Sequence, residues 1–273
     1  MSVKNASIIN KIRRCVVLIV VLITILGYFI PTINWGLSIL ILVCAIVFLH
    51  GWERYGFKGI VYFFISSWII SNSLEATSIK YGFPFGFYYY TGEGKILGVP
   101  WTIMIAYFDA CYISWSISHI LLGQYNTKLK GRSIISIPII SSFIMVMWDV
   151  IMDPISSTIN KQWIWPKGGS YFGVPISNFL GWYFVVFLIF MSFSLFVSKF
   201  DRDYKETLNE DNKIFWLEPV IIYELLSLSL FITALTGVKN KEILIPIGMI
   251  NVFTMGFVTI LSIFLLSKKK NNK

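Results

Sequence analysis

Apolar residues run in blocks of about 20 along the whole chain, separated by short polar segments, and a helix of that length spans the hydrocarbon core of a bilayer. The blocks predict eight helices, at about 15–33, 35–50, 60–79, 101–122, 133–152, 177–198, 215–237 and 243–266. The expected fold class is all-α, a polytopic transmembrane helical bundle forming one integral membrane domain over residues 1–273. The second block is the shortest, and His50, Trp52, Glu53 and Arg54 close it as a polar, aromatic interface cluster. The first block follows Lys11, Arg13 and Arg14 as a signal peptide would. No small-residue cleavage site comes after it, so it is expected to stay as a span.

The breaks between blocks carry the next signal. Trp148 to Trp182 begins with Asp149 and Asp153, which a helix would stack one turn apart. Pro154 favours a helix stop there. A loop rich in aromatics and glycine follows, with Trp163, Trp165, Gly168, Gly169, Tyr171, Phe172 and Gly173, and Asn178 and Trp182 open the next block. An earlier break echoes it: Glu75, then Phe83, Phe85, Tyr88 and Tyr90 among glycines. Gly98-Val99-Pro100 and Gly173-Val174-Pro175 end the two loops with one tripeptide. Either this is an internal repeat, as in bundles whose site lies between repeats, or the tripeptide simply starts a helix twice.

Composition narrows the class. Of 273 residues, 56% are hydrophobic and only 14% charged, which excludes an ordinary soluble domain. The formal net charge of +9 would suit nucleic acid, but its distribution points to basic cytoplasmic loops instead. With the N-terminus inside, 17 Lys and Arg fall on the inner side and 6 on the outer. Both termini are therefore expected in the cytoplasm, in a multi-pass protein of the cell membrane, with both aromatic loops outside. The Lys199–Lys213 loop reads as a solvated connector and the KKKNNK tail as an inner anchor. Cys15, Cys44 and Cys111 lie inside apolar blocks and read as small buried residues. No phosphate-binding glycine loop and no zinc spacing are present.

Acids inside apolar blocks are costly and mark function. Asp149 and Glu75 lead the candidates; Asp153 reads equally as a cap beside Pro154. A carboxylic acid kept neutral among aromatics can protonate an apolar substrate. Trp148, Trp163, Trp165, Tyr171, Phe172 and Trp182, with Phe83, Phe85, Tyr88 and Tyr90, are the residues expected to line such a chamber. Desolvated aromatic faces stabilise a cation by about 2 kcal/mol or more. The plainer reading of these rings is an interfacial belt. Weaker signals come from Asp109, expected to pair with a neighbour or line the cavity, from His119, expected to hydrogen-bond locally, and from Glu218 and Glu224, of which Glu224 reads equally as support for the site, a proton path or a bond between helices.

The ordered string Glu75, GFPFGFYYY, GVP, DVIMDP, WIWP and YFGVPISNFLGW resembles the carotenoid biosynthesis membrane protein family. Its members include bisanhydrobacterioruberin hydratase and carotenoid 1′,2′-hydratase. The resemblance covers about Ile60 to Phe190 and leaves Asp109 without a role. It implies hydration of a terminal C=C in a C40 or C50 carotenoid, with no cofactor, since adding water is redox-neutral. The expected catalytic groups are Asp149 and Glu75, as acid and water-orienting base in either order, then Asp153. Asn178 and the rings above would bind substrate, with no metal. The expected partners are the lipid bilayer, a carotenoid or other polyprenoid, and other enzymes of the same pathway; no nucleic acid is expected. Three rivals remain: a terpenoid cyclase or isomerase, a Mg²⁺-dependent prenyl transferase holding metal on Asp149 and Asp153, and a transporter of lipids or small molecules.

Overall fold

The computed structural model describes residues 3–30, 35–200, 210–236 and 239–268. Most of the Lys199–Lys213 connector and of the tail from Lys268 lies outside the described residues. The chain is an all-α bundle: α1 (Val3–Phe29), α2 (Gly36–Tyr81), α3 (Trp101–Leu121), α4 (Ser133–Asp153), α5 (Ile176–Phe200), α6 (Glu210–Thr236), α7 (Lys241–Asn251) and α8 (Phe257–Ser267). Among the described residues, five helical stretches are long and apolar enough to cross a membrane: Gly36–Tyr81, Ser133–Ile159, Ile176–Phe200, Lys213–Thr233 and Lys241–Ser267. The protein is a multi-pass helical membrane protein.

The second and third predicted blocks form one 46-residue element, α2. Straight, it would measure ~70 Å, over twice a bilayer core. It is not straight. Gly56 has φ 72 and ψ 170, outside helical space. The Phe48 and Phe57 ring centroids are 6.1 Å apart, and a Cβ on Gly51 would overlap the Ile60 side chain. Residues nine apart on one helix would be separated by about 13 Å. The element is therefore a hairpin of two arms turning at Gly56.

The predicted stop at Pro154 does not occur. The helix continues as a π-helical turn, Pro154–Ile159. The Ser157 hydroxyl donates to the Asp153 carbonyl at 2.9 Å, so a side chain serves an acceptor near the proline, which lacks a donor of its own. A second π turn, Val252–Gly256, joins α7 to α8.

At the Gly56 end, the cluster expected at an interface divides: His50 and Arg54 are buried, whereas Trp52 and Glu53 are not. Arg13 of α1 pairs with Glu53 of α2 and Glu218 of α6. His50 joins the Tyr112 hydroxyl (2.7 Å) and the Phe215 carbonyl (2.9 Å), and the Arg54 guanidinium lies 4.3 Å from the Trp216 ring centre. Burying a polar group is tolerable once it is partnered, and these partners come from four helices. His119 bonds locally to the Gln124 carbonyl, as expected. Cys111 is buried and Cys44 partly so; Cys15 is exposed, against expectation, because it lies on the outward face of α1.

Candidate active site

At the opposite end, the two aromatic loops are joined. Strand β1 (Tyr89–Tyr90) pairs antiparallel with β4 (Trp163–Ile164), Tyr90 opposite Trp163. The Thr91 hydroxyl donates to the Lys161 carbonyl at 2.7 Å and the Ser177 hydroxyl to the Phe85 carbonyl at 2.8 Å. The first loop also lies flat on α5, where a Cβ on Gly181 would reach the Pro84 carbonyl oxygen at 2.9 Å.

The two GVP segments share a local geometry. Strands β2 (Lys95–Ile96) and β3 (Val99–Pro100) turn through Leu97 (φ 54) and Gly98 (φ 87). Tyr171 bridges Val174 through Phe172 (φ 48) and Gly173 (φ 86). Two successive left-handed residues are what a tight type I′ hairpin requires. In both, the valine is fully buried and a helix starts right after the proline. The tripeptide therefore marks a repeated hairpin-to-helix unit, not only a helix start.

Beneath this cap, α2, α3, α4 and α5 enclose a cavity of about 40 Å³, lined by Glu75, Asn178 and an aromatic wall of Phe85, Tyr88, Tyr90, Tyr107, Trp148, Trp163, Trp165 and Trp182, with Ile103, Ala106 and Met152. The Tyr107 hydroxyl donates to Glu75 Oε1 at 2.5 Å, and the Tyr90 hydroxyl to Oε2 at 3.2 Å. Tyr107 in turn stacks on Trp182, centroids 4.4 Å apart. Burial first, then the nearby Glu75, hold the Tyr90 phenol well above its ordinary range, so it remains a donor.

Asp149 and Asp153 sit behind Asn178 and do not line the cavity themselves. Asn178 Nδ2 donates to Asp149 Oδ2 (3.0 Å) and to Asp153 Oδ2 (2.5 Å). Trp163 Nε1 donates to Asp153 Oδ1 at 2.8 Å. Asp153 is thus no helix cap; its carboxylate is committed to two side-chain donors. Asp149 Oδ1 is buried without a hydrogen-bond partner among the described residues.

Residues 35–257 match the sequence profile of carotenoid biosynthesis proteins. The chain belongs to the carotenoid biosynthesis protein family. The match reaches from the first arm of α2 to the start of α8, wider than the Ile60–Phe190 stretch whose motifs carry the resemblance. Comparison with curated proteins and with solved structures gave no match.

In this family member, most of the expected rings reach the cavity. Phe83 does not: it is 58% exposed and meets Phe184 at 5.9 Å on the outward side of α5. Phe172 is also outside, its carbonyl taken by the Thr158 hydroxyl at 2.6 Å, because it occupies a left-handed turn position. Tyr171 lies next to Phe172 and near Asp149; burial first, then Asp149, push its hydroxyl up to about 12. Asp109 faces Cys44, away from the cavity. Sequence reasoning missed Tyr107, Ile103, Ala106 and Met152. Tyr107 is one aromatic among many in an apolar helix, so only its distance to Glu75 singles it out.

Proposed function

We propose that the chain is a membrane hydratase acting on the terminal trisubstituted C=C of a C40 or C50 carotenoid. The observation that carries this reading is a carboxyl group, Glu75, held by two tyrosine hydroxyls at the wall of an aromatic cavity. Glu75 transfers its proton to the less substituted alkene carbon, and positive charge develops on the tertiary carbon. The faces of Tyr107, Trp148, Trp163 and Trp182 shelter that charge. A water then adds its oxygen to the cation, and Glu75, now a carboxylate, takes the surplus proton. The product is a tertiary alcohol, and the acid is regenerated with no change of oxidation state.

Asn178 is assigned to the water. Both of its amide protons are spent on Asp149 and Asp153, which leaves its oxygen to accept from a water and orient it. Asp149 and Asp153 act through Asn178 as positioning residues, and their charge, where ionised, opposes the developing cation's. The cavity suits water, since 40 Å³ is room for about three molecules. The buried Tyr88 hydroxyl and Trp148 indole N–H, without a partner among the described residues, are further donors on its wall. This favours hydration over the cyclase reading, which needs a dry site. The prenyl transferase reading is weakened because the Asn178 amide nitrogen already sits between Asp149 Oδ2 and Asp153 Oδ2 as a donor to both. The eight-span layout, with both arms of α2 crossing, both termini cytoplasmic and the aromatic cap at the outer face of the cell membrane, belongs to the same proposal.

The test is expression in a lycopene-producing host with mass analysis of the extracted pigment. A gain of one water per converted end supports hydration. Unchanged mass with altered absorption would replace it with cyclisation, and magnesium-dependent growth of the carbon skeleton with prenyl transfer. Movement of unmodified pigment across the membrane would leave a transporter.

A further inference from the structure

The cavity is far too small for the substrate class just proposed, on which this inference rests. At 40 Å³ it holds a few waters, whereas an apolar polyene of 40 carbons is many times larger. Only the reacting end can enter, and the rest must leave the protein through the cavity wall. Being apolar, it must leave toward lipid, not toward water.

The wall is tight on most sides. Phe85, Tyr107, Glu75 and Asn178 are each at most 2% exposed. By contrast six lining residues are partly exposed: Ile103 and Ala106 on α3, Trp148 and Met152 on α4, and, singly, Trp165 in the second loop and Trp182 on α5. Spacings of three and four residues put each pair on one helix face, and both pairs line the same cavity. Farther along, the two helices are pinned together: the Ser141 hydroxyl donates to the Ser118 hydroxyl at 2.8 Å, and Ser114 reaches Met145 Sδ at 3.9 Å. Small residues let helices approach closely there, and beside the cavity the same two helices give Ile103, Ala106, Trp148 and Met152 to its wall. Ala106 is the smallest side chain on this rim and Met152 its most adaptable; a thioether chain can swing aside where an indole cannot.

We propose that the cleft between α3 and α4, bounded by Ile103, Ala106, Trp148 and Met152, is a lateral portal from the bilayer and the binding subsite for the polyene chain next to the reacting end. The end group reaches Glu75 by displacing Met152, and the polyene remains in lipid.

Ala106→Phe tests this, with two alkenes of one end-group chemistry: lycopene, and a C10 terpene with the same trisubstituted end. Filling the rim is expected to lower the lycopene-to-C10 conversion ratio at least tenfold, and Met152→Ala to raise lycopene conversion severalfold. A ratio within twofold of wild type in Ala106→Phe overturns the portal. If Ala106→Phe does not accumulate as folded protein, Ile103→Phe, one turn away, is read by the same ratio and the same limits. Lycopene retained by detergent-purified protein, read by its visible absorption, separates this inference from the hydratase reading. Were wild type to hydrate neither alkene, the hydratase reading would fall. The portal would stand if Ala106→Phe still retained at least fivefold less lycopene than wild type, and fall if retention were equal.

Discussion

Glu75→Gln keeps the size of the side chain and its place between Tyr90 and Tyr107, but an amide has no acidic proton to give. Conversion per folded molecule should fall roughly 10²- to 10⁴-fold, measured as hydrated pigment normalised to folded protein in membranes. Near wild-type conversion would remove Glu75 from the reaction. Tyr107→Phe deletes the shorter of the two hydrogen bonds to Glu75. A bond to a charged or charge-developing group contributes about 1.5–3 kcal/mol, so a loss of roughly tenfold or more is expected, with protein yield unchanged. Tyr90 should show itself in rate and not as a titrating group. Its phenol is raised by burial and by Glu75, and a raised acid keeps its proton to higher pH, so it does not ionise below about pH 10. An alkaline limb between pH 7 and about 10 should therefore persist in Tyr90→Phe, since the Tyr90 phenol is not the group that titrates there. The acids and most of the rings could be picked from the sequence because charge inside an apolar block and glycine between aromatics are both unusual. Which acid faces the cavity could not be read there. Asp149 and Asp153 sit one hydrogen bond back, behind Asn178, and that order depends on how α4 and α5 are rotated against each other.

Two glycines in the connecting elements separate conformational from steric cost. Gly56 turns the α2 hairpin with φ 72 and has nothing near its missing side chain. Gly56→Ala should cost about 1–3 kcal/mol, because φ 72 with ψ 170 lies in a region that is essentially glycine-only. Gly56→Asn should cost as much, since asparagine tolerates the left-handed helical region but not this one, and thermal unfolding in detergent reads both. Gly169 is the opposite case: a Cβ there would meet the Val174 carbonyl carbon at 2.0 Å. Gly169→Ala must displace the backbone of the second GVP hairpin, so folded yield should drop. The all-α bundle followed from the apolar blocks, although the second and third blocks form the single element α2 and α1 starts at Val3, ahead of the first block. The π turn after Asp153 did not, because Pro154 reads locally as a stop. What continues the helix past it includes the Ser157 hydroxyl on the Asp153 carbonyl, a side-chain contact that no apolar period encodes.

At the scale of the molecule, the joined loops put Glu75 and the Asp149–Asp153 pair on one site although 78 residues of chain separate Glu75 from Asp153. The proposed orientation places this cap outside the cell. Single cysteines at the exposed positions Glu93 and Lys167 should then react with an impermeant maleimide in intact cells; reaction only after permeabilisation would invert the topology. The charge split argued for that orientation from sequence alone, whereas the burial of Arg13, His50 and Arg54 was hidden, since their partners lie on helices distant in the chain. The Arg13 contact has a bearing on biogenesis. Its two acids emerge from the ribosome far apart in time, Glu53 early and Glu218 after four-fifths of the chain has been made. Until α6 has been made, Glu53 is the only one of these two acids that can meet Arg13. A nascent chain carrying Glu53→Gln loses that early partner, and should be captured by membrane proteases during synthesis more than Glu218→Gln is, a difference that pulse-chase labelling would display.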